Sequence, residues 1–212
     1  MPITNKGSVK LGNKISPSTT ESINAKMPNT GTYYLANNPE IYEIQRTNNF
    51  VFYTSGLSNM IKVDANTTAE ASADSILELA VSKSSVPHFK QSPIAVKRGN
   101  NTMKFAGVPE FESGSISVND YIGSGVKDIL MAWQARSYNV ETEKVGLAKD
   151  YKVDAYLLEY TPDYQLVRTW KLVGCWISGI SEGEYNHESN DKHSIDVTIE
   201  YDKAYMETNK GQ

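Results

Sequence analysis

The sequence predicts a mainly β fold with helix in the minority, and three observations carry that expectation. Thirteen Tyr accompany frequent Thr, Val and Ile, residue types whose aromatic or branched side chains pack well on a pleated surface. Residues 195–202 alternate at strict period two, with Ile195, Val197, Ile199 and Tyr201 on one face and Asp196, Thr198, Glu200 and Asp202 on the other. A helical period shows clearly in one segment, where Val126, Ile129, Leu130 and Trp133 follow i, i+3, i+4, i+7 spacing.

The elements follow in chain order. Residues 1–37 are rich in Ser, Thr, Asn, Gly and Lys and read as an N-terminal arm, mildly basic through Lys6, Lys10, Lys14 and Lys26. A β-domain is expected over 38–205, with a tail at 206–212. Phe50 to Tyr53 starts the domain as a strand between Asn48-Asn49 and Gly56. Asp64 to Asp74 has no hydrophobic period and reads as a loop before an apolar strand from Ile76 to Val81.

Pro87 and Pro93 bracket Phe89 and Lys90, and Ile94-Ala-Val96 leads to a turn at Arg98-Gly-Asn-Asn101. A proline removes a ladder N–H, so such a segment belongs at an edge or on an extended arm. The expected product is a protruding hairpin from Ser84 to Phe105, whose Phe89, Ile94 and Val96 need apolar cover from outside the monomer. Ser115 to Val118 alternates as a strand, and the helix should begin near Gly125, with Trp133 as a core anchor on a sheet. Tyr151 to Tyr160 and Gln165 to Val173 form a hairpin around the Thr161-Pro-Asp-Tyr164 turn, and Gly174 to Gly179 continues the second strand.

Composition excludes several function classes. At 39% hydrophobic and 22% charged residues, the chain supports a packed interior rather than wholesale disorder. A net charge of −4 gives no basic footprint for gripping nucleic acid. Cys175 is alone, so no intrachain disulfide forms, and its apolar surroundings predict an inert buried thiol. Met1 to Lys14 lacks the apolar core of a signal peptide. No run reaches the roughly 18 apolar residues of a membrane span, so no membrane insertion is expected. Asn66-Thr67-Thr68 reads as an ordinary polar loop.

No enzyme, metal site or cofactor site is expected. Glu182, Glu184, His187, Glu188, Asp191 and His193 match neither a short zinc pattern nor a calcium loop and read as a solvated hairpin loop. His88 has no nearby nucleophile. Ser124 between Gly123 and Gly125 is not a nucleophile elbow, and no Gly-rich run ends in Lys-Ser or Lys-Thr.

In order and spacing the elements from Arg46 to Tyr205 resemble the tail tube proteins of contractile-tailed bacteriophages. The residues that carry the resemblance begin with Arg46-Thr-Asn-Asn-Phe-Val-Phe, Ser85-Val86-Pro87 and Lys104-Phe-Ala-Gly107, and continue with Asp128 and Trp133 of the helix. Asp150-Tyr151-Lys152, Trp170-Lys-Leu-Val-Gly-Cys-Trp176 and Ile195 to Asp202 complete the set. The arm before Asn37 and an extended loop from Ser55 to Asp74 depart from the compact pattern.

The resemblance implies an antiparallel β-sandwich or open barrel with one flanking α-helix. Six subunits would form a ring with a continuous inner β-barrel, and rings would stack into a tail tube for genome ejection. Implied partners are further copies of the chain, a tail sheath protein, a tape measure protein, a baseplate or tail initiator, a tail terminator and phage DNA in transit. The place implied is the virion tail, assembled in the host cytoplasm. Pro87, Phe89, Pro93, Ile94 and Val96 are candidate subunit contacts. Asp196, Glu200 and Glu78 are candidates to line the lumen, where carboxylates repel phosphates. Two alternatives stay open: a related tube component of an injection or secretion system, or tube initiator, and a carbohydrate-binding or hydrolytic β-sandwich.

Overall fold

The computed structural model describes residues 44–62, 72–123, 125–188 and 190–207. The expected arm and the sequon lie outside those residues. The described domain is built on one open antiparallel sheet. Its strand order is β1 (Phe50–Ser55), β10 (Val153–Tyr160), β11 (Leu166–Glu182), β12 (Ser194–Glu200), β7 (Gly114–Asn119) and β2 (Val81–Ser84), with β13 (Lys203–Glu207) also on β11.

The 17-residue strand β11 joins two half-sheets. Its first half pairs with β10 and with β13, and from Trp176 onward it pairs with β12. β12 and β13 therefore run along one edge of β11 as a single broken strand, interrupted at Tyr201-Asp202 opposite Gly174. The break has a local cause. Gly174 sits at φ +69°, and a Cβ there would lie 2.5 Å from Asp202 Oδ2, so a left-handed residue with no side chain is required. Lys152 Nζ ties the same Asp202 carboxylate at 2.6 Å. The curved sheet brings its terminal strands β1 and β2 near one another.

One core fills the sheet's inner face. Ile116, Val118, Val153, Ala155, Leu157, Ile177, Ile195, Val197 and Ile199 are buried there, as period two requires. Helix α3 (Val126–Ser137) buries Val126, Ile129, Leu130 and Trp133, the stripe read from the sequence. Trp133 Nε1 donates to the Tyr151 carbonyl at 2.8 Å, satisfying the polar atom of a ring that is 1% exposed. Burial pushes the Cys175 thiol up to about 12, which keeps it protonated and inert as expected.

Three further helices among the described residues correct the expectation of one. The segment expected as a strand from Ile76 is mostly helix α2 (Ala73–Ala80), and only Val81 enters β2. Ser72 caps it, its Oγ accepting from Ser75 N at 3.2 Å, and Ala73, Ile76, Leu77 and Ala80 are buried at helical spacing. Short helices α1 (Leu57–Met60) and α4 (Ala148–Tyr151) occupy stretches read as loop and strand start. Asp74, read as the loop's end, lies in the first turn of α2. β13 runs to Glu207, two residues past the expected domain end.

Candidate assembly interface

The expected hairpin is the outer part of a longer ribbon. From the β2–β7 ladder the two chains continue as β3 (Phe89–Gln91) paired with β6 (Pro109–Phe111), then as β4 (Ile94–Arg98) paired with β5 (Asn101–Phe105). Fully extended, the fourteen steps from Ser84 to Arg98 reach up to about 45 Å. Prolines punctuate the ribbon where its ladder breaks. Between the middle and outer segments Gly107 crosses Ser92 so closely that a Cβ would lie 2.1 Å from the Ser92 carbonyl oxygen.

The base of the ribbon is fixed to the domain. Pro87 is buried, so it anchors the ribbon and offers no surface to a partner, which corrects its place among the candidate contacts. Phe89 tilts against Phe111 at 5.8 Å between ring centroids, and Phe111 meets Tyr201 edge-on at 6.1 Å. His88 Nε2 lies 2.6 Å from Glu112 Oε2 and its Nδ1 3.3 Å from the Val86 carbonyl. The Val86 carbonyl, then Glu112, raise the His88 pKa above the ordinary imidazole value.

The outer segment has two unlike faces. Cross-strand partners share a face, and the register pairs Ile94 with Phe105 and Val96 with Met103, but Ala95 with Lys104 and Lys97 with Thr102. One face is therefore apolar and the other cationic. Ile94 is 57% exposed and Phe105 52%, and Pro93 is exposed beside them. A cluster of large apolar side chains left in water marks a surface for association.

The carboxylate candidates separate into two places. Asp196 and Glu200 share the outer face of β12, as alternation requires, with no cation bound among the described residues. Ser117 Oγ donates to Asp196 at 2.5 Å, and Ser113 Oγ to Glu200 at 2.6 Å. Small polar residues thus partner both acids, of which Asp196 is exposed and Glu200 half-buried. Glu78 is not on that surface. It sits on the exposed side of α2 beside Leu79 and β1, because the segment is helix rather than strand.

An apolar-floored cleft of about 1060 Å³ lies between the edges β1 and β2, lined by Phe50, Val81, Val86, Leu157, Trp170 and Met206 among others. Nothing in the sequence points to it, since its walls come from five separated segments. The loop singled out for acids and histidines is not gathered around one point: Glu182 pairs with Lys127 at 2.6 Å, while His193 Nδ1 lies 3.2 Å from Asp120 and its ring stacks on Tyr185.

No family model and no curated protein matches the sequence. Solved structures do match. A chain of the sheath-tube complex of an extracellular contractile injection system, PVC, in the extended state aligns over 83% of this chain and 97% of its own, at TM-score 0.56 and 13% identity. A chain of the PVC sheath/tube terminator aligns over 79% and 98%, at TM-score 0.55 and 16% identity. A chain of the anti-feeding prophage baseplate aligns over 79% and 97%, at TM-score 0.56 and 11% identity. At such identities the likeness establishes a shared fold: a mainly β, antiparallel open sheet with a few helices.

Proposed function

We propose that this chain is a non-enzymatic structural subunit that assembles with copies of itself into the tube of a contractile machine. The observation that carries the reading is the projecting β4–β5 hairpin, whose apolar face the rest of the described domain leaves uncovered. An open sheet with exposed edges adds to it, because edges are stable in a soluble protein when pairing or closure covers them. The fold shared with chains of tube-containing assemblies supplies the class of object built.

The finer reading takes the tube to be that of a phage tail. Six copies close each ring, rings stack around a lumen lined by Asp196 and Glu200, and DNA passes through it without being gripped. A sheath, a terminator and a baseplate are the corresponding partners, with a tape measure protein inside the tube during assembly. A tube of a related injection system is the second reading. The same fold in the PVC and anti-feeding prophage assemblies favours it.

Replacement of Phe89 and Ile94 by Ser tests the assembly reading. Both side chains are more than half exposed, so the variant's circular dichroism stays close to wild type while rings and tubes disappear from negative-stain images. Tubes formed by the double variant would refute the role given to this hairpin. A wild-type protein that stays monomeric at every concentration, with an initiator present, would refute the tube.

A further inference from the structure

The ribbon and the β11–β12 loop lie at opposite ends of one ladder. β7 and β12 pair from Ser194 with Asn119 to Ile199 with Gly114. The ribbon leaves beyond Gly114, whereas the segment joining β11 to β12 closes the Asn119 end.

The two ends carry opposite charge. From Phe89 to Phe105 the chain has Lys90, Lys97, Arg98 and Lys104 and no acid, and none of these four makes an ion pair among the described residues. From Glu182 to Asp191 it has Glu182, Glu184, Glu188 and Asp191 and no Lys or Arg. Lys127 neutralises Glu182, and Lys192 donates to Asn119 Oδ1 at 3.2 Å. Glu184 and Glu188 are exposed.

Both ends are also apolar. The hairpin offers Ile94, Val96, Met103 and Phe105. At the acidic end Ile122 is wholly exposed and Tyr185 is 77% exposed, its ring held by the stack on His193 at 4.9 Å.

We infer that the hairpin docks head-to-tail on the β11–β12 end of a second copy. Its apolar face packs on Ile122 and Tyr185, while Lys97 and Lys104, rooted on the opposite face, extend their flexible stems past the ribbon's edges to Glu184 and Glu188. The occupant is another copy because one chain carries both complementary surfaces and holds them at opposite ends of the β7–β12 ladder. A contact between unlike ends repeats from copy to copy and builds a stack. Charge supplies the polarity: two hairpins, or two acidic ends, repel. This inference rests on the self-assembly reading above and adds which surfaces meet along the tube axis.

Two charge reversals test it. Lys97→Glu with Lys104→Glu cancels the hairpin's net positive charge and sets carboxylates at its two contact positions, and Glu184→Lys with Glu188→Lys does the converse at the β11–β12 end. At about 50 mM salt, where exposed charges are weakly screened, each variant alone should associate at least about tenfold more weakly than wild type by sedimentation velocity. Mixed in equal amounts, the two should recover association, because each supplies the end the other lacks. A mixture no better than its parts, or either variant associating like wild type, overturns the inference.

Circular dichroism monitors folding. Should a reversal unfold the chain, the milder Lys97→Gln with Lys104→Gln is used, and it should flatten the salt dependence of association. An unchanged salt slope overturns the inference. Wild-type tubes indifferent to all of these changes would sink the docking scheme and leave the tube reading standing. A wild type that never associates would sink both.

Discussion

Asp74 shows how one side chain decides a local fold. Its carboxylate accepts from Thr54 Oγ1 at 2.7 Å, from Leu57 N and Ser58 N at 3.0 Å each, and from Ser58 Oγ. It thereby ties the end of β1 and the first turn of α1 to α2. Burial works to raise its pKa, but the hydrogen bonds from Ser58, Thr54 and Leu57 together outweigh it and leave the pKa below the ordinary carboxylate value. A depressed folded pKa means stability that is present above the unfolded value and is lost as pH falls through the folded one. Asp74→Asn should therefore cost about 1–2 kcal/mol near neutral pH, as expected for hydrogen bonds to a charged group. Urea denaturation at about pH 7 and about pH 3 should show the gap to wild type shrinking at the acid end. A gap equal at both pH values would refute the linkage.

Among the elements, the ribbon and α2 behave oppositely. Helix α2 buries Leu77 completely and Ile76 to 7% exposure, so its helical state is enforced by packing. The β4–β5 hairpin has every residue exposed and holds together by its own ladder. A two-stranded hairpin without a packed face is marginal in water. In the monomer its amides should therefore exchange with solvent at least about a hundredfold faster than those of β10 and the first half of β11, which lie inside the sheet. Assembly should slow them. Hydrogen exchange followed by mass spectrometry reads both states, and a hairpin already protected in the monomer would contradict the account.

For the molecule as a whole, the outer face of β12 poses the question of which surface a ring turns inward. Asp196 and Glu200 have hydroxyl partners rather than cations among the described residues, so no described counter-charge offsets them. Reversal of both to Lys should leave tubes intact and slow the passage of DNA, most at low salt where phosphate attraction is strongest. Ejection kinetics at two salt concentrations measure this. Normal ejection with lost sheath attachment would place these acids on the outside of the tube.

What the sequence determined by itself is the local period. Strict alternation located β12, the apolar stripe located α3, and paired prolines marked a ribbon that could not lie inside a sheet. In each case the signal sits within a few consecutive residues, where backbone geometry alone converts it to structure. The run from Ile76 to Val81 reads as a strand in sequence, yet all of it but Val81 is helix, because a short apolar run satisfies a strand and a buried helix equally. The deciding facts were a cap at Ser72 and a core partner distant in sequence. Pro87's burial, Glu78's separation from Asp196 and the cleft between β1 and β2 were also beyond sequence. Each depends on which distant strands become neighbours. Likewise, the basic and acidic segments were visible as composition, but that they lie at opposite ends of the molecule was decided by the antiparallel pairing of β7 with β12.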